Sequence, residues 1–130
     1  MQVWTPASHS LPVDSPIRSR WEGAVWGVEM FEVLYKSRIR LNHHMDVADA
    51  YAGNVRLFEA TGVGSLLITD WKKNLHERFE PGKEIVAYKT PEECLDLIQY
   101  YAEHNDERKT IAKAGQGRTL RDHTYYNLAQ

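Results

Sequence analysis

The stretch that most limits what this chain can fold into is residues 54–70, Asn-Val-Arg-Leu-Phe-Glu-Ala-Thr-Gly-Val-Gly-Ser-Leu-Leu-Ile-Thr-Asp. Leu57, Phe58 and Ala60 give a helix apolar surface to bury, and Gly62 can take the left-handed conformation that ends it. Residues 65–69 are too short and too continuously apolar for an exposed element, so the pattern reads as a helix feeding a buried parallel strand.

Polar residues interrupt that helix where packing does not call for them. Arg56 and Glu59 are i, i+3 neighbours on one face, and Asn54 sits near the helix start. A helix N-terminus offers unpaired N–H groups and the positive end of its dipole; an arginine adds a fork of donors, and a glutamate one turn on accepts from sugar hydroxyls. That set suits a nucleotide diphosphate. The same spacing equally describes a surface ion pair between Arg56 and Glu59 with Asn54 as N-cap, and spacing alone leaves both readings open.

A wider pattern surrounds these residues. Asn54-x-Arg56-x-Phe58-Glu59-Ala60-x-Gly62-x-Gly64 is followed by Leu-Leu-Ile-Thr-Asp70, then by Phe79-Glu-Pro-Gly82-Lys-Glu and Thr90-Pro-Glu-Glu. In this order the motifs resemble the C-terminal donor-binding domain of GT-B glycosyltransferases, within the group 1 branch that includes spore-maturation-type proteins. The resemblance covers about residue 28 to about residue 125. It implies that Glu59 hydrogen-bonds the ribose of a nucleotide diphosphate sugar and that the N–H groups from Gly53 through Asn54 to Arg56 hold the diphosphate. Many group 1 enzymes carry a second glutamate eight positions earlier, near the donor sugar. Here that place is Tyr51, so neither the sugar contact nor the usual retaining mechanism carries over, and no catalytic residue is assigned.

At 130 residues the chain has the length of one domain. A complete GT-B enzyme has two Rossmann-like domains, so the resemblance implies the second half, with an N-terminal acceptor domain as its missing partner. With 16 basic and 18 acidic residues there is no electrostatic footprint for nucleic acid. No run approaches the roughly 20 apolar residues of a membrane span, and no signal peptide is evident. The single Cys94 excludes an intrachain disulfide and points to a core thiol in a cytoplasmic protein. No cofactor is expected; the nucleotide sugar is a substrate.

Taken in order, residues 1–22 carry Pro6, Pro12 and Pro16 without periodicity and read as an extended lead-in or linker, leaving 23–130 as the nucleotide-sugar-binding domain. Trp4, Trp21 and Trp26 are large apolar groups for such a segment, which makes a homodimer an expectation. Ala24, Val28, Phe31, Leu34 and Tyr35 follow helical spacing in a core-facing helix over 24–37, and 39–42 alternates as a strand. That strand delivers Asn42, His43 and His44 to the edge where open α/β sheets bind ligands, so Asn42 and His43 join the candidate donor contacts. His43 and His44 with Asp46 and Asp49 could suggest a metal, but adjacent histidines on extended chain point oppositely and no ligand spacing supports one.

Asp70 is expected to cap a helix over 71–79, Pro81-Gly82 to turn, and 84–88 to form a third strand. Thr90-Pro-Glu-Glu93 spells a capping box opening a helix to about residue 103, with Leu95, Ile98, Tyr101 and Ala102 as its core stripe. A helix from Asn105 should end at Gly115, and a last one should occupy 117–130. The expected fold is α/β, a three-layer Rossmann-like parallel sheet flanked by helices, forming the C-terminal half of a GT-B fold. The expected function is donor binding in a glycosyltransferase that moves a sugar to an unknown acceptor. The alternative is a non-catalytic nucleotide-binding or interaction module derived from such a domain. A receiver-type signalling domain would need an acidic cluster that Asp70 alone does not make.

Overall fold

The computed structural model describes residues 3–4, 13–16, 18–43 and 56–128. The chain divides into two compact units, Met1–Val33 and Leu34–Gln130. In the first, the strands β1 (Val3–Trp4) and β2 (Trp21–Gly23) pair in parallel, with a 3-10 turn at Arg18–Arg20 leading into β2. The described residues of the proline-bearing segment thus include short ordered elements. Helix α1 (Gly27–Lys36) spans the boundary between the units, and of its residues only Leu34 is buried. The expected core-facing role of Val28, Phe31 and Tyr35 is therefore corrected: all three are exposed.

The second unit holds a parallel sheet in the order β3-β4-β5, with β3 at Ile39–Asn42, β4 at Leu66–Asp70 and β5 at Val86–Tyr88. Helix α2 (Arg56–Gly62) crosses from β3 to β4, and the single-turn α3 (Leu75–Arg78) lies between β4 and β5. Helices α4 (Pro91–Glu103), α5 (Asn105–Asp122) and α6 (Tyr125–Leu128) complete the chain. All five residues of β4 are buried, which is why its sequence is apolar without alternation. On one face Leu67 and Ile85 pack with Leu57 and Ala60 of α2 and with Leu75 and Phe79; on the other Leu66, Ile68, Val86 and Tyr88 pack with Cys94, Ile111 and Ala112. Helices on both faces of a parallel sheet give the expected three-layer α/β arrangement.

Several local expectations change. Gly64, with φ 88°, takes the left-handed position after α2, and Gly62 stays helical. Gly64 N donates to Thr61 O at 3.0 Å and Ser65 N to Ala60 O at 3.2 Å, the paired bonds that close a helix C-terminus. Asp70 ends β4 instead of capping a helix, because it is still paired in register with Tyr88. The core stripe of α4 is Cys94 with Leu97, Ile98 and Tyr101, whereas Leu95 is exposed. Gly115 lies within α5 and serves a close approach: a Cβ there would stand 2.3 Å from Glu84 O.

The start of α4 follows its sequence closely. Thr90 Oγ1 accepts from Glu93 N at 3.1 Å, and Glu93 Oε2 accepts from Lys89 N at 2.8 Å, one residue before the cap. Ser65 Oγ, at the head of β4, lies 2.5 Å from Leu34 O and 2.8 Å from Ser37 O, tying the strand to the end of α1.

Candidate functional site

Parallel strands in register end together, and here their ends carry polar side chains. Asn42 pairs with Thr69 across β3 and β4, and Asp70 pairs with Tyr88 across β4 and β5. Neighbouring residues of a strand face opposite ways, so this edge presents a different set to each face of the sheet.

Toward the α2 face, Asn42 Nδ2 donates to Thr69 Oγ1 at 3.0 Å, and both residues are buried. Thr69 Oγ1 in turn donates to Asp70 Oδ1 at 3.2 Å. Asn42 is thereby a tie between two strand ends, with its amide turned inward. On the other face the Tyr88 hydroxyl donates to Asn42 O at 3.1 Å and lies 3.3 Å from His43 Nδ1. A carbonyl can only accept, so the hydroxyl proton is committed to Asn42 and the oxygen accepts from His43. This assigns the proton of a neutral imidazole to Nδ1 and leaves Nε2 as the acceptor.

Asp70 Oδ2 stands 3.8 Å from His43 Nδ1 and 3.5 Å from Lys72 Nζ, which gives the carboxylate two basic neighbours. Burial, then the Asp70 carboxylate and the Cys94 thiol, push the Tyr88 hydroxyl up to about 12, so it remains a donor across the physiological range. Trp71 N donates to Tyr88 O at 2.8 Å, extending the pairing of β4 with β5 by one bond beyond Asp70.

Above β3, α2 presents the pair expected from spacing. Arg56 Nη1 donates to Glu59 Oε2 at 2.8 Å, with the two side chains 37% and 18% exposed. A fully exposed i, i+3 pair contributes about 0.5 kcal/mol or less, and the partial burial of Glu59 sets this one apart from an ordinary surface pair. Arg40 of β3, paired in register with Leu67, lies on the sheet face that α2 covers. Burial first, and then Arg56, lower the pKa of its guanidinium, while Glu59 opposes the shift.

Of the expected site residues, Arg56 and Glu59 come together on α2, and Asn42 and His43 come together with Tyr88 at the strand ends. Gly53 and Asn54 lie outside the described residues, as do Tyr51, His44, Asp46 and Asp49. Sequence reasoning missed Arg40, Thr69, Lys72 and Tyr88 as members of the site. The available signal was position: Arg40 is a polar position in the alternation of 39–42, and Thr69 and Tyr88 close their strands at the ligand-binding edge. Among the described residues no group of three or more His, Cys, Asp or Glu is placed to hold a metal ion, and no helix is long and apolar enough to cross a membrane.

The arrangement pairs a fork-shaped donor with a carboxylate acceptor and sets both beside a polar strand edge. Comparison with protein families gives a match to the glycosyl transferase-like family over residues 3–130. No curated protein gives a significant match.

Proposed function

The chain belongs to the glycosyl transferase-like family, and from that premise we propose that it is the nucleotide-sugar donor domain of a glycosyltransferase of the GT-B type, in its group 1, spore-maturation-like branch. The observation that carries the reading is the partly buried Arg56–Glu59 pair on the crossover between β3 and β4. In this reading Glu59 accepts from the ribose hydroxyls. Arg56, with the N–H groups of Gly53 and Asn54, stabilises the diphosphate as negative charge grows on the leaving group. Asn42 and His43 border the donor from the neighbouring strand, with Asn42 acting through its tie to Thr69 and His43 offering Nε2.

The acceptor, and any general base, belong in this proposal to a second Rossmann-like domain facing the donor. The reading also takes the domain to be cytoplasmic, in keeping with Cys94 as a buried free thiol. A second reading, a nucleotide-binding module without transferase activity, is favoured by one observation: Tyr51 stands where group 1 enzymes carry a glutamate near the sugar.

Calorimetric titration with UDP, GDP, ADP and their common sugar conjugates tests the donor site. One nucleotide series is expected to bind, and Glu59→Ala and Arg56→Ala are each expected to weaken it by about 1–3 kcal/mol, the cost of leaving a charged or buried partner unpaired. Binding unaffected by both substitutions would move the site elsewhere. Hydrolysis of the bound sugar conjugate separates the transferase reading from the binding module.

A further inference from the structure

His43 follows the last residue of β3, and two polar groups hold its inner ring nitrogen: the Tyr88 hydroxyl oxygen lies 3.3 Å from Nδ1 and Asp70 Oδ2 lies 3.8 Å from it. Because the Tyr88 proton goes to Asn42 O, Nδ1 keeps its own proton between a phenol oxygen and a carboxylate. The remainder of the ring is open to solvent, the side chain being 69% exposed. Nε2 can therefore gain a proton without any rearrangement at Nδ1.

The surroundings take opposite sides on that second proton. Asp70, buried at the end of β4, favours an imidazolium beside it, and Lys72 Nζ, 3.5 Å from the same carboxylate oxygen, opposes it. Tyr88 of β5 stays neutral near physiological pH, and burial pushes up the Cys94 thiol of α4 that packs with it, so neither adds an anion there. A histidine balanced in this way responds to the charge that arrives on its open side.

The donor reading brings such a charge to this edge. Parallel pairing of β3 with β4 makes the crossover run back along the sheet, so Arg56, the first residue of α2, stands at the same edge as His43. In that reading the phosphates drawn by Arg56 meet an imidazole whose outward nitrogen, when neutral, is an acceptor like the phosphate oxygens. Two acceptors repel, whereas a protonated Nε2 donates a charge-assisted bond.

We propose that His43 takes up a proton as the donor binds: Nε2 turns from acceptor to donor on a diphosphate oxygen, with Asp70 as the counter-charge of the imidazolium. The inference rests on the donor-site reading and adds a pH-dependent contact to it. The solvent loses one proton, Nε2 gains it, and Nδ1 retains its own. Asp70 is a positioning residue in this step and does not touch the nucleotide.

Calorimetry in buffers of different ionisation heat counts the proton. The probes are UDP-glucose, GDP-mannose and ADP-glucose, because a diphosphate esterified at both ends does not titrate near neutrality, whereas a free nucleoside diphosphate does. For the conjugate that binds, uptake of about half a proton is expected near pH 7.5 and little near pH 5, with affinity rising about tenfold from about pH 8 to about pH 6. His43→Gln keeps a donor and removes the titration, so its uptake is expected to vanish and its affinity to stay flat with pH. The exposure of His43 spares the fold in this variant. Asp70→Asn, which keeps the ring and removes its counter-charge, is expected to move the window of uptake to lower pH, a change that a merely structural role would not produce.

Equal heats in every buffer, or uptake that survives His43→Gln, would overturn the proposal and leave the donor site standing. Binding of none of the three conjugates at about pH 6, where the imidazolium is favoured, would remove the donor-site reading and the proposal with it.

Discussion

The Tyr88 hydroxyl bridges the last residue of β3 and the one after it, donating to the Asn42 carbonyl at 3.1 Å while standing 3.3 Å from His43 Nδ1. These residues are 45 and 46 positions from Tyr88 in sequence, on the opposite edge of the sheet from β5. The bond therefore reaches across the end of β4 and fixes where the chain leaves β3.

Loss of that hydroxyl has a defined cost. In Tyr88→Phe the Asn42 carbonyl loses one donor in a buried setting and His43 loses the phenol oxygen beside Nδ1, a destabilisation of about 1–3 kcal/mol. The urea midpoint should fall with the slope unchanged. The sign with pH also follows: the phenol is held up to about 12 when folded, against about 10 when unfolded, so the native state keeps the proton longer. Stability from this group is complete below the unfolded value and is lost as pH rises through the folded one. Alkaline titration of phenolate absorbance should show a late-ionising component that Tyr88→Phe removes.

Two glycines of α5, two positions apart, should respond oppositely to alanine. Gly115 has no room, since its Cβ would lie 2.3 Å from Glu84 O, and Gly115→Ala is expected to destabilise by about 1–3 kcal/mol as backbone is pushed aside. Gly117 meets nothing within 4 Å and has ordinary helical geometry, so Gly117→Ala should gain about 0.5–1 kcal/mol from helix propensity. Thermal melts of the two variants against wild type check both signs.

The hydroxyls of Thr61 and Thr119 lie 2.6 Å apart inside the unit, joining α2 to α5, and Thr61 Oγ1 also donates to Leu57 O at 2.7 Å. With the Thr61 proton directed at that carbonyl, Thr119 is the donor between them. Thr61→Val strands this donor and should cost about 1–3 kcal/mol, whereas Thr61→Val combined with Thr119→Val should cost less than the sum of the single changes. Chemical denaturation of the four proteins in the cycle measures the difference.

What is legible in the sequence is local. Arg56 and Glu59 meet because three residues of helix bring them together, and Thr90, Pro91 and Glu93 open α4 because each acts on the first turn. Tertiary contacts decide the rest. Gly62 and Gly64 both invite a left-handed turn, and packing of Thr61 against Thr119 extends α2 far enough that the second takes it. Asp70 and Gly115 look like a cap and a stop, but strand pairing holds the first and close approach to Glu84 explains the second. The same holds for the site: Arg40, Thr69 and Tyr88 join it only once three strands are in register.

A sheet whose neighbours are all parallel cannot assemble by closing a hairpin; each strand pair must wait for the connection between its members to be placed. For β3 and β4 that connection includes α2, the helix that bears Arg56 and Glu59. The segment that would hold the ligand is thus also the connection on which this non-local closure turns, and loop-closure entropy must be met before its contacts are rewarded. Substitutions in α2 that alter affinity should accordingly leave a second mark, on the rate at which the unfolded chain regains its structure.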